Sequence, residues 1–328
     1  MPKLHCLPPG SSAPEGSKTL IFIRHGETVF NVACTDSAGR KGSKCVGGPD
    51  GTMSKDPFAY EDSPLTPTGH QQAESLGAAM AQATPSVELV VASPLERALQ
   101  TAAGVFPSPP GGKIVAHEGV REMMFAKYES YNKRGLKSAK AARFPQVDFG
   151  LVAAEEDAMF AACAASYAGR ERSAEVQKRV LEFLEWLMDR PENVIAVVSH
   201  GFTMGLTFGS DHIHKVFDVG ALDVDACTLK GAANTATHEV VISRQASPGA
   251  ITAESGAADA PAAGRQRRAA VTRSTAALVE RDEKNKNDMM KARRRRGVGG
   301  GLVRLLQRLG IPVVVLAIAL WVWRRRRL

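Results

Sequence analysis

Residues 19–27 read TLIFIRHGE: five apolar or β-branched residues run without a break into Arg24, His25, Gly26 and Glu27. An uninterrupted apolar run of this length is the pattern of a strand buried on both faces of a parallel sheet. The same arrangement recurs twice. Residues 87–92 (VELVVA) deliver Ser93-Pro94-Leu95-Glu96-Arg97, and residues 194–198 (VIAVV) deliver Ser199-His200-Gly201. Ligands of open α/β sheets bind at the carboxyl ends of the strands. The pattern therefore predicts that Arg24, His25, Arg97 and His200 meet in one crevice. Each is weak alone, since a His-Gly pair is usually a turn and an arginine near a helix start usually faces water. Three such sites at three strand ends carry the inference together.

Helix-like stretches separate the strands. Thr66-Pro67 opens one, with Ala73, Leu76, Gly77 and Met80 at helical spacing; a second runs from Pro94 to about Ala103. A third carries Val176, Val180, Leu184 and Leu187 on one face. Strands alternating with helices predict an α/β fold with an open, mostly parallel sheet covered by helices on both faces.

The 328 residues carry a net charge of +8, which on its own points toward nucleic acid or an acidic surface. Its location removes that reading. Residues 246–328 hold 18 Lys/Arg against 6 Asp/Glu, leaving 24 against 28 in residues 1–245, so the body is slightly acidic. Two of the three Trp fall in the last eight residues and Tyr numbers only 4, so stacking platforms are lacking too. No nucleic-acid partner is expected. Five widely spread cysteines without a CxxC fit reduced thiols, and the Pro/Gly/Ser-rich start lacks the apolar core of a signal peptide. Residues 1–17 read as a disordered leader, 18–245 as the catalytic domain and 246–301 as a flexible basic linker.

The segments RHGETVFN (24–31), SPLERALQTA (93–102) and VVSHG (197–201) resemble the three signature segments of the histidine phosphatase superfamily, which includes cofactor-dependent phosphoglycerate mutase. LTPTGHQQA (65–73) and REMMFAKYE (121–129) are similar to its helix opening and its acid-bearing segment. A narrower likeness, to plant and fungal phosphoglycerate mutase-like proteins, lies in ALQTAAGVF (98–106), FPQVDF (144–149), EED (155–157) and FLEWL (183–187). The resemblance spans about residues 18–245. It implies a phosphoglycerate mutase-like fold, His25 as a nucleophile that becomes phosphohistidine, His200 as a ligand of the transferring phosphoryl group, and Glu122 as proton donor.

The residue chemistry stands beside that likeness. A phosphate monoester is dianionic near neutral pH, so its cleavage rests on charge neutralisation, positioning and a proton for the departing alkoxide. Arg24 and Arg97 offer planar forks for phosphate oxygens. Gly26 and Gly201 would let substrate approach the backbone, and Asn31 is a candidate neutral donor. For the acid, Glu118 and Glu129 lie near enough to rival Glu122, and Ala126 and Tyr128 depart from the family's glycine and tryptophan. The scheme calls for no metal and no cofactor. His212 and His214 are too few for a metal site, and the plain reading is a polar loop. Cys34 and Cys45 read as ordinary loop thiols. Walker A, GxSxG and HExxH patterns are absent.

Long excursions, one between Asn31 and Leu65 and one over residues 127–160, are expected to roof the pocket and select the substrate. Lys41, Lys44, Lys127, Lys133 and Arg134 are candidates for a second anionic group. With no recognisable clamp for a second phosphate, hydrolysis of a phosphorylated small molecule or phosphoprotein is the first expectation. A phosphomutase and a membrane-tethered binding protein are the alternatives. Oligomeric state is not legible in the chain.

Residues 309–323 form an uncharged run of 15 residues; extended back to 302 it makes 22, about 33 Å as a helix against a hydrocarbon core of about 30 Å. With Trp321 and Trp323 at an interface and the basic tail 324–328 behind it, residues 302–323 are expected to act as a C-terminal membrane anchor. The catalytic domain would then face the cytosol, on an organelle outer membrane or peroxisome. A helix lying in the interface is the competing arrangement.

Overall fold

The computed structural model describes residues 3–11, 14–34, 60–83, 86–125, 130–219, 224–229 and 233–244. Among these, eight strands form one sheet: β1 (Leu4–Leu7), β2 (Lys18–Arg24), β3 (Leu89–Ala92), β4 (Ile114–Ala116), β5 (Val147–Asp148), β6 (Val194–Ser199), β7 (Phe217–Asp218) and β8 (Thr237–Ser243). Their order is β5-β4-β3-β6-β2-β8-β1-β7. The block from β5 to β2 is parallel throughout; β8 is antiparallel to both β2 and β1, and β7 returns parallel to β1. The three strands read from the sequence are β2, β3 and β6, and they lie side by side at the centre.

Side chains alternate across a strand, so a sheet covered on both faces needs apolar residues at every position. That is what the central strands carry. Leu20, Phe22, Leu89, Val91, Ile195 and Val197 pack into one core with Val176, Val180, Phe183, Leu184 and Leu187 of α6 (Ser173–Met188) and Met204 and Phe208 of α7 (Gly201–Phe208). Ile21, Ile23, Val90, Ala92, Ala196 and Val198 face the other way. They pack against Ala73, Leu76 and Met80 of α2 (Pro67–Ala83) and Ala98, Leu99 and Ala102 of α3 (Glu96–Val105). The remaining helices that matter here are α1 (Val29–Ala33), α4 (Lys137–Arg143) and α5 (Ala158–Ala165).

Two expectations need correction. The supposed leader carries β1, whose Leu4 and Cys6 are buried and whose Leu7 pairs with Val241. Four residues followed by Pro-Pro-Gly are too short a signal by themselves, and this strand exists because a partner far along the chain satisfies its backbone. The excursion over 127–160 likewise carries α4 and the edge strand β5, rather than being one long loop. The first excursion is pinned at its base, where Thr28 bridges Leu65 and the Phe30 N–H donates to Ser63 Oγ at 3.0 Å. The expected linker (246–301), anchor (302–323) and basic tail (324–328) lie outside the described residues. Among the described residues no helix is long and apolar enough to cross a membrane.

Candidate active site

Strand register assembles the site. Arg24 of β2 lies opposite Ser199 of β6, and Ala92 of β3 lies opposite Val198. Three strands therefore end at one edge, and the residues that follow them emerge together. The His25 N–H donates to the Ser199 carbonyl at 3.0 Å, and the ring centroids of His25 and His200 are 5.2 Å apart. His25 Nδ1 lies 2.7 Å from the Gly26 carbonyl oxygen. A carbonyl only accepts, so Nδ1 carries the proton and, in the neutral ring, Nε2 carries the lone pair.

The loop that presents His25 is fixed from outside. Gly26 N–H donates to Thr101 Oγ1 at 3.0 Å, and Glu27 N–H to Gln72 Oε1 at 2.8 Å. Thr235, a β-branched residue at φ +57°, donates its N–H to the Arg24 carbonyl, while Asn234 Nδ2 reaches the His25 carbonyl at 3.2 Å. Such a conformation costs energy and persists only where its surroundings enforce it. Gly26 is not among the described residues that line the cavity. A Cβ there would meet the Gly69 carbonyl oxygen at 2.6 Å, so close packing on α2 requires glycine at 26.

His200 is fully buried, and neither ring nitrogen has a hydrogen-bond partner. Burial above all, then the charges of Arg97 and His25, hold its imidazole well below the ordinary histidine range. A buried polar ring left unsatisfied calls for an explanation, and here the ring stands beside His25 and in the field of Arg97.

Arg24 and Arg97 are both buried. Desolvation pushes both guanidinium groups down from the usual arginine value, Glu122 opposes that shift, and Arg97 adds to it for Arg24. Both nevertheless stay charged, as guanidinium does in proteins. Arg97 is aimed by Asn132, whose Oδ1 accepts from Nη2 at 2.7 Å, and by the Tyr131 carbonyl at 3.1 Å from Nη1. Gly201 lines the cavity, and a Cβ at that position would lie 3.3 Å from Arg24 Nε, crowding the guanidinium.

Glu122 meets the basic cluster from the helix side. Its Oε1 accepts from the backbone N–H groups of Met123 and Thr203, both at 3.0 Å, and from Thr203 Oγ1 at 3.3 Å. Oε2 takes a 3.3 Å contact from the Phe202 N–H. The carboxyl group thus sits on the first turn of α7, directly after His200. One of its two rivals is held elsewhere. Glu118 is spent on Arg121 at 3.0 Å and Arg134 at 3.3 Å, and Glu129 lies outside the described residues, as do Ala126 and Tyr128. Asn31 lines the cavity from α1 with Oδ1 accepting from the Thr28 N–H in a capping box, so its amide NH2 is the end able to donate.

Arg134 does not serve a second anion. It is buried, and its guanidinium donates to Glu118 and to the carbonyls of Gly135, Ala154, Glu155 and Glu156. Lys133 pairs with Glu61 at 3.0 Å, while Lys41, Lys44, Lys127 and Cys45 lie outside the described residues.

Sequence reasoning missed the supporting layer. Asn132, fully buried, accepts from Arg97, donates Nδ2 to the Met123 carbonyl at 2.9 Å and offers its own carbonyl to Arg121 at 2.8 Å. Arg121 forks onto Asp157 at 2.8 and 2.6 Å. Burial alone would lower Arg121, and that pairing with Asp157 and Glu118 more than reverses it. No spacing rule marks an asparagine as a hub; the EED segment was visible as a likeness, without its partner.

These groups open on a cavity of about 970 Å³. Its lining includes Arg24, His25, Asn31, Arg97, Glu122 and Gly201 at the polar end, and Cys34, Arg170, Ser173 and His212. His212 therefore lines this cavity, with a buried Nδ1 lacking a partner, and is not a residue of a plain polar loop. Chemically the arrangement offers the His25 imidazole, two guanidinium forks and a carboxyl group on the cavity lining, with the His200 imidazole 5.2 Å from that of His25.

Comparison with known proteins supplies a family. A family model described as histidine phosphatase superfamily (branch 1) matches residues 54–210, which include Arg97, Glu122 and His200. A phosphoglycerate mutase-like protein of Arabidopsis thaliana is 31% identical over 248 residues, covering 65% of this chain and 83% of the relative. Phosphoglycerate mutase-like protein 1 of the same plant is 30% identical over 215 residues, covering 56% and 68%. Among solved structures, the ecdysone phosphate phosphatase from Bombix mori, in complex with tungstate, aligns with 19% identity and a TM-score of 0.42, over 74% of this chain and 98% of that one. With four basic residues and a carboxyl group gathered at the strand ends, and with relatives of this identity and coverage, the chain belongs to the histidine phosphatase superfamily.

Proposed function

We propose that the protein is a phosphatase that hydrolyses phosphate monoesters through a phosphohistidine on His25, without a metal ion. The observation that carries this reading is the gathering of Arg24, His25, Arg97, His200 and Glu122 at one strand edge. Arg24 and Arg97 bind and neutralise the phosphoryl oxygens, and His200 donates a ring N–H to the same group, satisfying a ring that has no protein partner. Nε2 of His25 attacks phosphorus in line. The P–Nε2 bond forms as the P–O bond to the alcohol breaks, and Glu122 gives its proton to the leaving oxygen. Oε2 suits that transfer, because Oε1 holds three of the four hydrogen bonds to this carboxyl group. Water then attacks phosphorus, Glu122 takes its proton, and the P–Nε2 bond breaks to release phosphate. The two arginines supply the charge that such reactions elsewhere draw from a metal ion.

The test is phosphate release from a panel of esters in chelator, for the parent and His25→Ala. Release by the parent and loss of at least 1,000-fold in the variant is the expected result. Isomerisation of 3-phosphoglycerate stimulated by 2,3-bisphosphoglycerate, without phosphate release, would make the protein a mutase. No turnover of any ester would leave a binding role. Attachment to a membrane through residues 302–323 belongs to the same proposal, and a reporter fused to 297–328 that stays in the soluble fraction would contradict it.

A further inference from the structure

Beyond the basic groups, part of the cavity wall is aromatic. Phe30 of α1 stacks on Tyr131 with ring centroids 3.6 Å apart, and Phe125 meets Phe202 edge-on at 6.0 Å. All four rings line the cavity, with Met123 and Leu206. Phe202 is the telling residue. It stands in the first turn of α7, two residues after His200, and is 58% exposed, so it contributes little to the core. Its backbone N–H holds Glu122 and would do so with any side chain except proline. A large ring left exposed beside a catalytic histidine is a surface waiting for a ligand. Among the described lining residues, Arg170 is the one arginine or lysine outside the pair at the floor. A volume of about 970 Å³ also leaves room beside the basic groups for more than a phosphoryl group.

We infer that this half of the cavity selects phosphate monoesters of bulky, uncharged, apolar alcohols, with the dianion on the basic floor and the alcohol's apolar body against the four rings. The inference rests on the phosphatase reading above. Its chemistry is that reading's chemistry; what it adds is the class of leaving group.

The experiment measures kcat/KM of the full chain for 2-phenylethyl phosphate, glycerol 3-phosphate and 3-phosphoglycerate. All three release a primary alkoxide, so differences report binding of the alcohol portion and not its leaving ability. Burial of the phenylethyl group predicts a preference of about tenfold or more over glycerol 3-phosphate, and Phe202→Ala should reduce that ratio to about threefold or less. A parent ratio near one, or reversed, with phosphate still released would overturn the inference and leave the phosphatase reading standing. Release from none of the three would overturn both. Calorimetry supplies a readout free of turnover: 2-phenylethylphosphonate should bind with a more negative heat-capacity change than methylphosphonate, and equal values would also overturn the inference.

Discussion

Replacing Asn132 by alanine should damage the site without touching any residue expected to meet substrate. Asn132 Oδ1 holds Arg97 Nη2 at 2.7 Å, and Arg97 is buried, so the substitution takes an acceptor from a charged group with little access to water. A hydrogen bond to a charged group contributes about 1.5–3 kcal/mol. The Met123 carbonyl, next to Glu122, loses its donor in the same substitution. If the loss from Arg97 is expressed in the transition state, where its fork must face the phosphoryl oxygens, kcat/KM falls by roughly 10- to 100-fold at 1.36 kcal/mol per factor of ten. The assay is phosphate release with thermal unfolding alongside, together with inhibition by inorganic phosphate. Weaker phosphate inhibition in step with kcat/KM marks a positioning role, whereas lower stability alone marks a structural one. A kcat/KM within twofold of the parent, with phosphate inhibition unchanged, would refute the reasoning.

Asp157→Ala removes both carboxylate oxygens from a guanidinium that is wholly buried, leaving Glu118 as its remaining acid. Breaking such a pair costs about 3–5 kcal/mol, read from denaturant unfolding; a loss under about 1 kcal/mol would contradict the pairing. His117 and His238 are both held neutral by burial, with pKa lowered to about 4. Because the unfolded chain takes up these protons near pH 6.5, stability is full above that value and declines as pH falls toward 4, by up to about 3 kcal/mol per group. Imidazole chemical shifts should report both rings neutral at pH 5.5, and titration near 6.5 would contradict the burial.

The central strands and the basic cluster were legible because Arg24, His25 and His200 follow an apolar run within two residues and Arg97 within five, so finding the strand finds the residue. What stayed hidden depends on contacts between distant parts of the chain. β1 is four residues long and exists through its pairing with β8. Arg134 reads as a loop cation until the carbonyls around it are seen to absorb its guanidinium, and Glu118 competes with Glu122 until Arg121 and Arg134 are seen to hold it. The packing constraint on Gly26 was hidden as well, because the backbone that a side chain there would strike belongs to Gly69, 43 positions away. Asn132 carries no signal at all: an asparagine between tyrosine and lysine is ordinary until it is found touching Arg97, Met123 and Arg121.

The account turns on His25 taking the phosphoryl group. Rapid quenching of the enzyme in alkali during turnover of a phosphate ester, followed by peptide mass spectrometry, tests this directly. An acid-labile, alkali-stable phosphoryl group on Nε2 of His25, and none on His200, is the expected result. A phosphorylated serine, threonine or cysteine, or turnover with His25 unmodified at every time point, would contradict it.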